Sequence, residues 1–271
     1  MTRGGAPPRF FEGERPPPER FAEHVLALWT FDVQIPQGES ALHTIWPDGC
    51  ASISIVANRG IPAAASIIGP RLRALRVPMR SGLVLRGLRL WPDTAASVLG
   101  VDAVAIRGLT RPAAELLGVS ALSLARAVAR APDDTALDAI WEEWLAPRIA
   151  AAELPDPEVR HVVRRFIDSD GTCDVVAAAA EAGVSMRRLE KRFAAAVGLS
   201  TRQFARIRRV RAAIGAIAAG ERSLVELAHR TRLEPSSFTR EFRLVAGLAP
   251  DALMNQLDQI EHPEGRAISA S

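Results

Sequence analysis

The strongest constraint on the fold is a helical pattern that occurs twice in the last hundred residues. At its first occurrence, the alanine-rich run 175–182 ends at Gly183, and Ser185 follows two residues later. Glycine often ends a helix in a left-handed turn, and serine is a preferred cap for the start of the next helix. The apolar residues that follow recur at helical spacing and predict one buried face: Met186, Leu189, Phe193 and Val197.

The same pattern returns with Ser223, which is expected to open another short helix before a turn and a further helix over 235–245. The buried face predicted for that last helix contains Phe238, Phe242 and Val245. Between the two occurrences, residues 201–219 carry an apolar stripe made of Phe204, Ile207, Val210, Ile214 and Ile217. We expect this long connecting helix to pack on both pairs and to fix their separation.

The basic charge of the chain is concentrated in this repeated segment. The whole chain carries 34 Lys and Arg against 31 Asp and Glu, which gives a net charge of only +3. From Ser185 to Val245, however, fourteen basic residues stand against five acidic ones, so the segment is +9 and the remainder −6. A strongly basic helical module of this kind indicates a nucleic-acid partner.

The second helix of each pair can lie in a DNA major groove, where Arg and Lys donate to guanine or to flanking phosphates. The predicted DNA-binding residues are Arg187, Arg188, Lys191 and Arg192 in the first pair, and Ser236, Thr239, Arg240 and Arg243 in the second. A rigid spacer would place the two helices in successive major-groove segments, roughly 34 Å apart. Four arginines of the connecting helix are interpreted as phosphate contacts or solvated side chains: Arg202, Arg206, Arg208 and Arg209.

These repeats resemble the double helix-turn-helix DNA-binding domain of AraC/XylS-type regulators. The resemblance is carried first by Gly183–Phe193, Val197–Ser200 and Phe204, and then by Ser223–Ala228, Ser237–Phe242 and Ala246–Pro250. It implies a bacterial transcription regulator, commonly an activator, whose partners are promoter or operator DNA in duplex form and RNA polymerase. The implied location is the cytoplasm.

The second turn departs from the family pattern, because Arg232 stands where the family has glycine and the turn is one residue shorter. A residue other than glycine at positive φ costs about 1 kcal/mol. Two alternatives follow: the turn is rebuilt, or the second motif is less well formed. Base contacts are therefore expected chiefly from the first recognition helix.

The N-terminal part has a β pattern where the C-terminal part has a helical one. Residues 21–91 alternate polar and apolar side chains between turn signals. This pattern predicts an α+β protein in which an antiparallel β barrel or sandwich-like domain precedes an all-α domain. Strands are expected at 25–33, 43–46, 50–56, 65–68 and 83–91, and helices at 94–99 and 135–151. The predicted organisation is a flexible Pro-rich arm (1–20), a β-rich sensory or oligomerisation domain with C-terminal helices (21–154), a DNA-binding domain (155–257) and a disordered tail (258–271).

The β-rich part is also similar to an uncharacterised domain that precedes this DNA-binding domain in many bacterial regulators. The residues that carry this similarity are Leu28-Trp29, Pro47–Gly49, Gly69-Pro70, Gly87–Pro92 and Leu99–Val101. The similarity implies a sensory or oligomerising role, so a small-molecule effector and a homodimer stay open. The tryptophans are expected in the core, with an aromatic ligand pocket of Trp29, Trp46 and Trp91 as the alternative.

Sequence motifs for chemistry are missing. The chain has no phosphate-binding glycine loop and no nucleophile motif, and its five histidines are scattered. We therefore expect no catalytic residue, no cofactor, no metal and no enzyme activity. Cys50 is interpreted as a small buried residue, with a reactive thiol as the alternative. No apolar run is long enough to span a membrane.

Two other functions remain alternatives to the sequence-specific regulator. One is an architectural protein that binds DNA without regard to sequence. The other is an enzyme that the basic helices hold on DNA. Nearly equal affinity for all sequences would favour the first, and a bound metal would favour the second.

Overall fold

The computed structural model describes residues 9–58 and 62–258, so most of the predicted disordered tail lies outside the described residues. Eight strands are present in this part of the chain: β1 (Arg9–Arg15), β2 (Val25–Gln34), β3 (Ser40–Ile45), β4 (Ser52–Val56), β5 (Ala64–Ile68), β6 (Leu75–Arg80), β7 (Val84–Leu90) and β8 (Thr110–Pro112). Six form an antiparallel sheet in the order β1-β2-β7-β4-β5-β8, and β3 pairs with β6 in a second antiparallel sheet. The sheets do not close into a barrel, and the predicted antiparallel, sandwich-like architecture is confirmed.

The prediction of a flexible arm over residues 1–20 is wrong for Arg9–Arg15. This segment forms β1, which pairs with β2 along its whole length, from Arg9 opposite Gln34 to Arg15 opposite Leu28. The physical reason is the distribution of the prolines. They stand on either side of residues 9–15, so every residue of β1 keeps the N–H that a strand needs. Residues 1–8 of the predicted arm lie outside the described residues.

Helices cover the sheet and complete its core. They are α1 (Ala95–Leu99), α2 (Ala103–Ile106), α3 (Ala113–Leu117), α4 (Val119–Arg130) and α5 (Asp134–Ala151). Ile53 and Leu88 from the sheet pack with Leu124 of α4 and Trp141 of α5 in one buried cluster. Asp133 caps α5 by accepting a hydrogen bond from the Ala136 N–H at 2.8 Å. The expected helices at 94–99 and 135–151 are confirmed, whereas α2, α3 and α4 were not predicted.

The rest of the described chain is helical, as predicted. It contains α6 (Pro157–Asp168), α7 (Val175–Glu181), α8 (Met186–Val197), α9 (Thr201–Ala218), α10 (Leu224–Arg230), α11 (Pro235–Ala246) and α12 (Pro250–Asp258). Asp156 caps α6, and Pro157 occupies its first turn, where a missing N–H costs nothing. The helical path is therefore interrupted between the end of α5 and the start of α6, near the predicted domain boundary at residue 155.

The β-rich part packs directly on the helical part. Gly49 lies so close to α9 that a Cβ atom added there would come within 2.4 Å of the Phe204 ring. Arg160 of α6 reaches back to form ion pairs with Asp93 at 2.8 Å and with Glu23 at 2.6 Å. The two parts are thus joined both by close apolar packing and by charge pairs.

The approach of Gly49 to Phe204 generates a stability prediction. Gly49→Ala should lower the free energy of unfolding by about 2–4 kcal/mol, because the new methyl group meets an aromatic ring and the residue has a φ of +84°. Gly82→Ala is the matched control, since Gly82 has a φ of +71° and no atom within 4 Å of its added Cβ. It should cost only about 1 kcal/mol in urea unfolding. Equal losses for both variants would contradict the close contact.

Candidate nucleic-acid interface

Helices α7 and α8 and the turn between them form the first motif. The chain leaves α7 with Gly183 at a φ of +68°. Its N–H donates to the Ala180 carbonyl at 3.0 Å, and the Val184 N–H donates to the Ala179 carbonyl at 3.0 Å. Ser185 then caps α8, because its hydroxyl accepts the Arg188 N–H at 3.4 Å. These contacts satisfy part of the free backbone groups at the end of α7 and the start of α8.

Helices α10 and α11 form the second motif, and its turn has the same two backbone hydrogen bonds as the first. The Arg232 N–H donates to the His229 carbonyl at 3.0 Å, and the Leu233 N–H donates to the Ala228 carbonyl at 3.0 Å. Arg232 itself takes the left-handed conformation with a φ of +55°, in the place that Gly183 holds in the first motif. The turn is therefore not rebuilt around the arginine. Arg232 adopts the left-handed conformation at a cost in backbone strain, and the two turns share the same two backbone hydrogen bonds, although Glu234 does not cap α11 as Ser185 caps α8.

Helix α9 is shared between two separate cores. Its first half contributes Phe204 and Ile207 to the core of the first motif, where Phe204 makes edge contacts with Phe166 and Phe193. Its second half joins Phe238 and Phe242 of α11 in the core of the second motif, together with Val210, Ala213, Ile214 and Ile217. The predicted stripe does pack on both motifs, so one rigid helix holds the two recognition helices.

Three of the four predicted DNA-binding residues of α8 lie free on its outer face. Arg187, Arg188 and Lys191 are exposed, and within the part of the chain that the structure describes their side chains form no ion pair. Glu190, the acidic residue between them, accepts a hydrogen bond from the Thr201 hydroxyl at the start of α9. The outer face of α8 thus presents uncompensated positive charge.

Arg192 is placed differently from the other three. Its guanidinium pairs with Asp156, and with Glu158 at 2.6 Å, at the start of α6. Its exposed fraction is 28% in the side chain. This position fixes α8 against α6, and it directs the charge of Arg192 away from the exposed face.

The second recognition helix also presents its predicted residues. Ser236, Arg240 and Arg243 are exposed and Thr239 is half-buried, all on one side of α11. These four side chains line an open groove. A fifth polar residue of the groove, Arg73, comes from the loop between β5 and β6 and was missed, because nothing in its local sequence links it to a helix 160 residues away.

The interpretation of the connecting-helix arginines as phosphate contacts or solvated side chains is wrong for three of the four. Arg206 and Arg209 pair with Glu241 of α11, at 3.4 Å and 2.8 Å. Arg208 is only 6% exposed. The reason is that α9 is enclosed on most sides, so the charges along it are used inside the protein. Arg202, by contrast, is exposed.

A cluster of charges lies where α9 meets the sheets. Arg89 of β7 pairs with Glu14 of β1 at 2.5 Å and with Asp48 at 2.8 Å. Arg211 of α9 is only 9% exposed, and burial lowers the pKa of its guanidinium although the charge of Asp48 acts in the opposite direction. The ion pairs of Arg89 lie within the β-rich part, and Arg211 places a buried positive charge of α9 next to their carboxylates.

A partly open cavity of about 120 Å³ lies next to this cluster, in the β-rich part. Its aromatic walls are formed by Trp29, Phe31, His43 and Trp46. Its polar side includes Asp48 and Arg89. Burial lowers the pKa of His43 to about 4, so this ring is neutral near pH 7. Of the three tryptophans in the predicted pocket, Trp91 is elsewhere, because its indole N–H donates to the Ala22 carbonyl at 2.8 Å and its ring stacks under Arg164.

Cys50 is buried beside the same cavity, at 5% exposure. Burial raises the pKa of its thiol, and the carboxylate of Asp48 raises it further. A thiol held in its protonated form is a poor nucleophile. The geometry therefore agrees with the interpretation of Cys50 as a small buried residue.

Residues 178–256 match the family of helix-turn-helix domains. The match runs from α7 into α12 and confirms the predicted AraC-type helix-turn-helix domain at the C-terminal end. Among solved structures, the chain is similar to the C-terminal domain of AraT, a response regulator from Geobacillus stearothermophilus, with 18% identity, 41% of this chain and 94% of that chain covered, and a TM-score of 0.37.

The chain is also similar to the structure of ToxT from Vibrio cholerae bound to an unsaturated fatty acid. The identity is 11%, the match covers 97% of this chain and 100% of that chain, and the TM-score is 0.44. No curated protein matches the chain in sequence.

Within residues 9–58 and 62–258, no three His, Cys, Asp or Glu side chains are grouped as a metal site would require. In the same ranges, no helix has both the length and the apolar character needed to cross a membrane.

The strained turn of the second motif leads to a prediction. Arg232→Gly should raise the free energy of unfolding by about 1 kcal/mol, because glycine adopts a φ of +55° without steric cost. Gly183→Ala, at the equivalent position of the first motif, should lower it by about the same amount. Thermal and urea unfolding measure both changes. A loss of stability in Arg232→Gly would show that the arginine side chain contributes more than its backbone costs.

Proposed function

We propose that this chain, a DNA-binding transcription regulator with an AraC-type helix-turn-helix domain, recognises specific duplex DNA with both of its motifs. The observation that carries the proposal is the pair of equivalent turns, each followed by a helix whose outer face is polar and exposed. Because α9 belongs to both cores, the two recognition helices α8 and α11 have a fixed separation. Such a pair suits two successive major-groove segments on one face of DNA.

The division between paired and unpaired cations supports this role. Arginines that hold the fold together are matched by carboxylates, as Arg209 is by Glu241 and Arg192 by Asp156. Arg188 and Lys191 of α8 and Arg240 of α11 have no such partner among the described residues. Unmatched charges on a recognition helix neutralise phosphates and release counterions, and a well-placed Arg or Lys also donates to guanine.

Each predicted DNA-binding residue has a place in this proposal. Arg187, Arg188 and Lys191 are candidates for base and phosphate contacts of the first motif, and Ser236, Thr239, Arg240 and Arg243 for those of the second. Arg192 acts as a positioning residue, because its ion pairs orient α8 on α6. Phosphate contacts give affinity that depends on salt, whereas base contacts give sequence choice.

The cavity supports a regulatory extension of the proposal. Its lining includes Arg89 and Asp48, and the charge of Asp48 acts on Arg211 of α9, so a small effector in the cavity would lie close to the junction with α9. An effector shifts DNA binding only by the difference in its affinity for the two arrangements of the protein. Transcriptional activation with RNA polymerase, a homodimer and a location in the cytoplasm are further expectations from the family resemblance.

Binding measurements with single variants test the sequence-specific function. Arg188→Ala and Lys191→Ala should each weaken binding to a selected site by about 1–3 kcal/mol for every bidentate hydrogen-bond pair to a base that the substitution removes, and should weaken binding to random DNA less. Arg240→Ala should behave in the same way, because the proposal has the second motif read bases as well. Arg126→Ala, on the outer face of α4, is the control for removal of a charge and should leave both affinities unchanged.

Two outcomes would contradict this assignment. An equal loss of affinity on selected and random DNA would make the α8 residues phosphate contacts. Wild-type binding constants that do not depend on sequence would instead favour the architectural protein.

A further inference from the structure

The β-rich part approaches the second recognition helix at one defined point. The loop between β5 and β6, residues 69–74, reaches the C-terminal end of α11 at its last residue, where the Ala74 N–H donates to the Val245 carbonyl at 2.7 Å. Leu72 of the same loop packs against the core of the first motif. The loop is therefore fixed between the two motifs.

Arg73 stands between these two anchored neighbours, and its own side chain is exposed. It lines the open groove on α11 together with Ser236, Thr239, Arg240 and Arg243. Within the described residues, none of the three arginines of this groove takes part in an ion pair. The groove thus has three unmatched positive charges, two from the recognition helix and one from a different part of the chain.

We propose that Arg73 contacts the DNA backbone, so that the β-rich part contributes a phosphate contact beside the second recognition helix. The inference rests on the proposed DNA-binding function and names an additional contact residue for it. When α11 lies in a major groove, the phosphates along the edge of that groove flank the helix. Arg73 extends from the fixed loop into the same groove of the protein, so its guanidinium faces one of these flanking strands.

The chemistry of the groove selects phosphate as the partner. Three unpaired arginines with no carboxylate among the lining residues attract an anion and repel a cation, and Ser236 and Thr239 add hydroxyl donors. The contact comes from a loop outside both recognition helices, so it should position the protein on DNA without reading sequence. The chain outside the helical repeats carries an excess of acidic residues. That excess does not prevent phosphate binding at the groove, because the groove itself is lined by three arginines and no carboxylate.

The salt dependence of DNA binding tests the contact directly. The full chain, Arg73→Gln, Arg243→Gln and the control Arg126→Gln are each titrated with a selected DNA fragment and with a random one, between 50 and 200 mM salt. Arg73→Gln should reduce the slope of log Kd against log salt by about 0.9 and weaken binding about fivefold near 150 mM salt. The reduction in affinity should be the same on both fragments, and Arg126→Gln should match the wild type.

Each other outcome has a distinct meaning. If Arg73→Gln keeps the wild-type slope while Arg243→Gln lowers it, Arg73 makes no DNA contact and the proposed function stands. If Arg126→Gln weakens binding as much as Arg73→Gln, the effect is overall charge and the local contact is refuted. If the wild type itself shows no salt-dependent DNA binding, the proposed function fails together with the inference. Unfolding midpoints of the four proteins, expected to agree, exclude an effect of misfolding.

Discussion

The central helix α9 is the element on which the other parts of the structure depend. One stretch of its surface completes the core of the first motif through Phe204, and the next stretch completes the core of the second through Ile214. Two of its charged side chains also make internal contacts, because Arg209 pairs with Glu241 of α11 and Arg211 is buried near the Arg89 cluster of the sheet. A single rigid helix therefore sets the spacing of the recognition helices and receives the β-rich part.

This arrangement explains why a chain with a small net charge can carry a strongly basic surface. Several arginines inside the protein are paired with carboxylates, as Arg89 is with Asp48 and Arg192 with Glu158. Those pairs fix orientation and contribute little net field at a distance. The arginines left unmatched on α8 and α11 supply the attraction to a polyanion. Paired charges in this protein thus orient its elements, whereas unpaired charges on the recognition helices attract DNA.

The sequence predicted the elements whose signals are local. Helical spacing and caps located α8, α9 and α11, and the anomalous Arg232 was recognised at a position that the structure shows to have a positive φ. Features that depend on distant partners were missed. Strand β1 exists because β2 pairs with it, and Arg73 belongs to the groove only because its loop meets α11. Likewise, the arginines of α9 were interpreted as solvated or phosphate contacts, because the elements that enclose this helix are distant in sequence.

Selection of bound sites from a random DNA pool tests the central claim, that one rigid helix makes both motifs read DNA together. The account predicts a selected site with two blocks of preferred bases, whose centres lie about one helical turn, roughly 10 base pairs, apart. Arg240→Ala should erase the preference in one block and leave the other. A single short block, unchanged by that substitution, would contradict the claim that the second motif reads bases from a fixed position.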